Sequence, residues 1–390
     1  MTGPAQGEHG GEAYRIARAL GVDVSQVVDL GTNGNILCAD LTAAHVAAVP
    51  YPHEHYPDLE ASLLREAVAT HENVPVDHVL AGNGSAELIW LAFMALRPRR
   101  VLLLGPLFGE YERACRALGI AYRVVTPRAL RPLYGKTPSP CGVQASHSWS
   151  ETTPSPFTFT AEDLDDIAAE DADLAVFCTP NNPTGAIYGP VEGLLAAVRS
   201  PIVLVDNTYR EFIWGEDAYE ANAWQVYRNA TGPDREVLAL HSLTKFFHCA
   251  GIRCGYAVGS PALLQRLAAI RAPWMVSTYA EQLGARLLGD IAQYRSRLPR
   301  LRAARSAMRC ALEATGAFAA GGLHEGTSFV TCRLQPHLHP ETARQALMGE
   351  GYLVRVCDNI TGMPPGHIRL QVRHPETMPA LFRMLERMAR

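Results

Sequence analysis

Apolar residues recur at helical spacing over residues 11–20, placing Ala13, Ile16, Ala17 and Leu20 on one face. The same period predicts helices over 58–70 and 84–96, the second entered through a glycine turn. Short unbroken apolar runs at 101–104, 174–178, 202–205 and 237–240 have the length of buried strands. Helical stretches separate these runs; one, over 160–169, has Thr160 in the N-cap position. Strands alternating with helices predict an α/β fold with a mostly parallel sheet and helices on both faces. Such sheets bind ligands beyond the carboxyl ends of their strands. The residues just after each apolar run are therefore the first candidates for chemistry.

Two regions break the rhythm. Residues 134–156 are rich in Ser, Thr and Pro and have no period, which predicts a loop or insert. An active-site flap carrying His147 or Trp149 is the alternative reading. From about residue 291 the chain reads as an Arg-rich helix, short strands at 328–334 and 367–372, and a closing helix from Glu376. This predicts a small α+β C-terminal domain. The expected division is an N-terminal segment, 1–50, packing with the small domain; a large domain, 51–290; and the small domain, 291–390. No internal repeat is seen.

Composition narrows the function classes. The formal net charge of −4 argues against a nucleic-acid or acidic-membrane partner. Arg97-Pro98-Arg99-Arg100, the densest basic run, reads as a turn between a helix and a strand, with a nucleic-acid patch as the alternative. Nine cysteines, an odd number without a C-x-x-C pair, predict reduced thiols. Residues 1–13 lack the apolar core of a signal peptide, and no apolar run reaches the ~18 residues of a membrane span. A cytoplasmic location is expected. The pairs His53/His55 and His337/His339 lack arranged carboxylate partners, so no metal is expected.

Four segments carry candidate chemistry. Residues 81–87 form a glycine turn into a helix, so N–H groups around Gly84, Ser85 and Ala86 can face a phosphate; an ordinary helix entry is the alternative. In 178–185, two asparagines precede Pro183 at the end of a predicted strand, which suits either an amide ligand or a proline-fixed turn. The hydrophobic run 203–205 leads directly into Asp206, an acid that needs a positive partner if buried and otherwise caps a turn. Lys245 follows the run 237–240 and lies between Thr244 and the pair Phe246-Phe247, with Arg253 eight residues later. Desolvation there lowers a lysine toward a nucleophilic free amine; a solvated surface charge is the bland reading.

In this order, each placed with respect to a predicted strand, the segments resemble the fold-type I pyridoxal-phosphate (PLP) enzymes of the aspartate-aminotransferase superfamily. PLP chemistry requires a lysine for the imine, an acid on the pyridine nitrogen and donors around the phosphate. The resemblance implies the fold-type I PLP-dependent transferase fold, with a sheet of the seven-stranded type, and PLP as cofactor. It implies Lys245 as the imine lysine, Asp206 on the pyridine nitrogen, and Asn182 and Tyr209 on the ring oxygen. It places Phe108 on the ring and Gly84, Ser85, Ala86, Ser242, Thr244 and Arg253 about the phosphate. Tyr51 resembles a tyrosine that reaches the phosphate across the interface of a homodimer.

Within the superfamily, several segments are similar to the threonine-phosphate decarboxylase group. They are His9-Gly10-Gly11 with 28–30, the lysine segment 243–247, Pro273-Trp274 with Val276, and 354–359. That resemblance implies decarboxylation of a phosphorylated amino acid, L-threonine O-3-phosphate, to (R)-1-aminopropan-2-yl phosphate for the cobalamin side chain. It implies His9, Asn33, Asn182, Arg355 and Arg369 on the substrate. The histidinol-phosphate aminotransferase group is the alternative. Two positions depart from the decarboxylase pattern: Gly34 replaces a proline between Asn33 and Asn35, and His241 stands where Arg is usual. A PLP-sensing transcription regulator would need a DNA-binding domain ahead of the fold, and none is expected, because the fold's N-terminal segment begins by about His9.

Overall fold

The apolar runs do become strands, and polar residues extend them. In a computed structural model, which describes residues 11–50, 53–133, 155–188, 191–216, 222–231 and 235–390, seven strands form one sheet. They are β1 (Val79–Gly82), β2 (Arg100–Leu104), β3 (Ala121–Val125), β4 (Leu174–Cys178), β5 (Ile202–Asp206), β6 (Glu236–Ser242) and β7 (Gly255–Gly259). The spatial order is β1-β7-β6-β5-β4-β2-β3. β7 is antiparallel to both neighbours and every other pair is parallel. Alternate residues serve opposite faces. Ala175, Phe177, Val203 and Val205 enter one core, while Leu174, Val176 and Leu204 enter a second core with Leu88 and Phe93 of the helix Gly84–Leu96.

β5 runs one residue beyond its apolar run, and β6 one residue earlier and two later. The ladder pairs Asp206 with both Cys178 and Leu240, and Ser242 with Gly255, regardless of side-chain polarity. Three strands of this sheet, β1, β3 and β7, are absent from the sequence expectation. β1 has four residues and β7 is bounded by glycines, while β3 is an edge strand with half-exposed alternation. Each gives a short or mixed apolar signal.

The helix expected over 58–70 is Ser62–Glu72. The Asp58 carboxylate accepts from Glu60 N and Ser62 N, which builds a turn before the helix can begin. The helix at 160–169 is Ala161–Ala168 with Thr160 as N-cap, where both its N–H and its hydroxyl donate to Asp163. The first helix, Ala13–Leu20, buries Ile16 and Ala17 against Val27 and Leu353, but Leu20 is exposed, contrary to its expected inward position. The covering cluster is too small to reach the helix's last turn.

In the C-terminal region, β8 (Phe318–Glu325), β9 (Phe329–Leu334), β10 (Arg355–Val356) and β11 (His367–Gln371) form an antiparallel sheet in the order β10-β11-β9-β8. The closing helix, Pro379–Ala389, starts three residues later than expected, after a 3-10 turn. The N-terminal segment is stitched to this region. Val28–Asp29 pairs in parallel with Tyr352–Leu353, and Leu30 O accepts from Gln371 N at 2.7 Å. Among the described residues, no helix is long and apolar enough to cross a membrane.

Candidate active site

A cavity of about 610 Å³ opens where β5 and β6 end, between the large sheet, the N-terminal segment and the small sheet. The large sheet and its turns bring Asn182, Asp206, Tyr209, Ser242, Thr244, Lys245 and Arg253 to its wall. Ser85 and Ala86 come from the first turn of the helix Gly84–Leu96, and Phe108 from the segment before the helix Glu110–Leu118. Asn33 comes from the N-terminal segment, and Arg355 and Arg369 from the small sheet. His9 and Tyr51 lie outside the described residues, as does most of the 134–156 stretch.

One end of the cavity is built for a dianion. The first N–H groups of a helix have no helical acceptor and point outward. Gly84 has φ +78°, and a Cβ on it would lie 2.5 Å from the Arg253 guanidinium. Gly84 is not itself on the cavity wall; it lets that cation approach the helix start. Gly255 has a similar role, since a Cβ there would lie 3.0 Å from Ser85 N. The Ser242 and Thr244 hydroxyls are 2.7 Å apart at the same end. N–H groups, two hydroxyls and a guanidinium are the donors a phosphate requires.

Asp206 is buried at the end of β5. One carboxyl oxygen accepts from the Tyr111 hydroxyl at 2.9 Å and the other from Thr208 N at 3.0 Å. Burial pushes its pKa up, against the pull of the Thr208 and Tyr111 hydrogen bonds. Among the described residues, no lysine, arginine or histidine forms an ion pair with it. A buried carboxylate in this position is stabilised by a cationic ligand atom.

Lys245 follows in the turn after β6, and its backbone carbonyl is held by Asn35 N at 2.9 Å. Desolvation, with help from Arg369 and Arg253, pushes its amine down to about 8. Arg369 donates to the Asn182 side-chain oxygen and to Gly31 O, and its guanidinium lies 5.2 Å from the Phe329 ring centre. The Tyr209 hydroxyl accepts from Asn33 Nδ2 at 3.1 Å. Arg355 is buried beside them and donates to Val356 O. Arg369 Nε, Asn33 Oδ1 and Thr208 Oγ1 are buried without a protein partner. Unpaired polar atoms on residues of one cavity wall are what a polar ligand satisfies.

Sequence reasoning missed several wall residues and supports. Tyr111 lies in the segment that supplies Phe108, but only its helical position shows that it reaches Asp206. Thr208 is two residues past Asp206, the spacing of a carboxylate-capped turn. Arg373 lies two residues past the end of β11 and four past Arg369, and His248 is three residues past Lys245. His241 does not line the cavity. It stacks on Tyr256 at 4.6 Å and lies 3.7 Å from Glu72, which also binds Arg210 and the Tyr256 hydroxyl. Burial pushes His241 down to about 3, so it is neutral at pH 7.

The family Aminotransferase class I and II matches residues 50–385. The chain belongs to this family. This aminotransferase class I and II member is 29% identical to the threonine-phosphate decarboxylase of Salmonella typhimurium over 292 residues, which cover 73% of this chain and 71% of that protein. It is 29% identical to histidinol-phosphate aminotransferase 1 of Cupriavidus pinatubonensis over 383 residues, covering 95% and 91%. Its fold is similar to that of the histidinol-phosphate aminotransferase of Sinorhizobium meliloti in complex with pyridoxal 5'-phosphate, with TM-score 0.71 and 17% identity, covering 97% of this chain and 94% of that one. The fold is therefore the fold-type I PLP transferase fold, and PLP is the cofactor. The residues fit it: the dianion end suits the phosphate, Asp206 suits a protonated pyridine nitrogen, and Lys245 supplies an amine between them.

Proposed function

We propose that this PLP-dependent enzyme decarboxylates a phosphorylated amino acid, L-threonine O-3-phosphate, to (R)-1-aminopropan-2-yl phosphate, a building block of the cobalamin side chain. The observation that carries the reading is the placing of Arg355 and Arg369 on the wall that holds Lys245, in addition to the Arg253 of the dianion end. Two further guanidiniums match a substrate with two anionic groups, a carboxylate and a phosphate.

When bound, PLP draws electrons from the substrate's Cα and so weakens the bonds there. With the cofactor bound, which of those bonds breaks would depend on how the substrate is turned about N–Cα. This chain's residues set that choice by gripping the substrate's anions. Arg355 and Arg369, anchored on β10 and β11, fix two points of the substrate and so its rotation about N–Cα. Asn33 and Asn182 hold Arg369 and Tyr209 in place. The Lys245 amine, at about 8, can carry a proton to Cα once carboxylate has left. His9 is proposed to share the phosphate grip.

Arg355→Ala is expected to lower decarboxylation by about 10-fold or more while the fraction of abortive transamination rises. CO₂ release and conversion of the cofactor to its amine form, followed during turnover of L-threonine phosphate, measure the two. A higher KM with an unchanged product ratio means that Arg355 contributes uniform binding only. An aminotransferase of the histidinol-phosphate type is the second reading, favoured by the longer match to such an enzyme. Faster transamination of histidinol phosphate than CO₂ release from threonine phosphate would establish it.

We further propose a cytoplasmic homodimer in which Tyr51 reaches the partner's cofactor. Tyr56, Leu59, Leu63 and Trp274 are exposed, and Tyr56 stacks on Trp274 at 4.6 Å. Exposed large apolar residues of this kind suit an interface. Light scattering is expected to give twice the chain mass of 42.4 kDa; a fully active monomer contradicts the dimer.

A further inference from the structure

β11 ends at Gln371, Val372 N donates to Ser328 O at 2.8 Å, and Arg369, Gln371 and Arg373 all line the cavity. Arg373 donates through Nη2 to the Asp29 carbonyl at 3.3 Å, while its Nε is buried without a partner. Among the described residues it has no ion pair. The nearby Asp29 carboxylate is engaged by Gly31 N, Thr32 N and the Thr32 hydroxyl. Arg373 is thus a cation on a ligand cavity with donors to spare.

Its setting includes an imidazole. His248 has φ +51°, unusual for a non-glycine residue, and its ring occupies space beside Gly34. A Cβ at position 34 would lie 2.5 Å from His248 Nδ1. The loss of the expected proline at 34 and the presence of an imidazole at 248 are therefore one feature. Burial, and then the charges of Arg373 and Lys245, push His248 down to about 4, so it adds no charge of its own at neutral pH.

The charges on the wall point the same way. Lys245, Arg253, Arg355, Arg369 and Arg373 face Asp29 and Asp206. With Arg253 and Lys245 assigned to the cofactor, Arg355, Arg369 and Arg373 are the other guanidiniums on the wall. A carboxylate occupies one fork, and a phosphate dianion can take two.

We propose that Arg373, set beside the His248 ring that Gly34 admits, is a specificity-determining residue that binds the substrate's distal phosphate together with Arg355, leaving Arg369 to the carboxylate. The inference rests on the phosphorylated-amino-acid reading above.

The test uses the holoenzyme. Calorimetry follows inorganic phosphate. Rapid mixing, reading the cofactor's visible band before turnover, follows O-phospho-L-threonine and L-threonine. Arg373→Gln is expected to weaken O-phospho-L-threonine about 30-fold or more and inorganic phosphate in parallel, while L-threonine changes less than about threefold. Arg373→Lys should recover only part of the loss, since it keeps the charge without the fork. Gly34→Ala, by pushing the His248 ring out of its space, should weaken the phosphorylated ligand several-fold more than L-threonine. If Arg373→Gln does not fold, these two variants decide by the same ratio. Equal losses for both amino acids, or none for the phosphorylated one, overturn the role of Arg373 while the wild-type preference for phosphate keeps the functional reading intact. A wild-type holoenzyme with no preference for O-phospho-L-threonine over L-threonine removes that reading, and this inference with it.

Discussion

Replacing Lys245 by alanine is expected to abolish the visible absorption of the cofactor-loaded protein and to lower turnover by at least about 10³-fold, some 4 kcal/mol of barrier. In the proposed role the side chain supplies both the covalent hold on the cofactor and the proton-carrying amine, and among the described residues no other lysine lines the cavity. The depressed pKa gives a second readout that needs no turnover. In the cofactor-free protein, an amine at about 8 is about a tenth free base at pH 7, against about 0.03% for an ordinary lysine. The free-base fraction rises with pH, so labelling of Lys245 by an amine-reactive reagent should rise and level off with a midpoint near 8. A midpoint near 10.5, or an Ala variant that keeps its colour and turnover, removes Lys245 from this role.

Asp206→Asn is expected to retain the cofactor but lose about 10²–10³-fold in turnover. The carboxylate lies buried with two hydrogen bonds and, among the described residues, no ion pair, so its charge can face a pyridine nitrogen. The amide nearly matches its shape, can keep the Thr208 N–H contact through its oxygen and can donate to the Tyr111 hydroxyl through its NH2, but it removes the charge that in the proposed role keeps the ring nitrogen protonated. The loss should appear in kcat with cofactor affinity reduced less. If turnover stays within about threefold, under ~0.7 kcal/mol, Asp206 is a structural cap for the turn it closes through Thr208.

The sheet was legible where the signal was long and apolar. β4 was placed to the residue because burial on every side requires an unbroken run of such residues, and the helix Gly84–Leu96 likewise because its apolar stretch opens at a glycine turn. β1, β3 and β7 were not legible. Their stability comes from neighbours: β7 with its glycines is held between β1 and β6, and its lack of side-chain bulk at Gly255 is what admits the helix start. Leu20 shows the opposite error. Its period was right, yet no partner was there to cover it.

Motif order by itself determined the class of chemistry: a lysine, an acid, an amide and a phosphate turn each tied to a strand, because strand ends of one sheet converge whatever lies between them in sequence. Tertiary structure alone decided what each group meets. Tyr111 on Asp206 and His241 withdrawn into the Glu72 network are contacts across 95 and 169 residues, and Arg373 lines the same cavity as Arg355 and Arg369. Side-chain reach in a local segment is set by its own backbone, but a partner from a distant segment is set by packing, and the packing also made Gly34 and His248 a matched pair. The sequence shows both residues; only the fold brings them into contact.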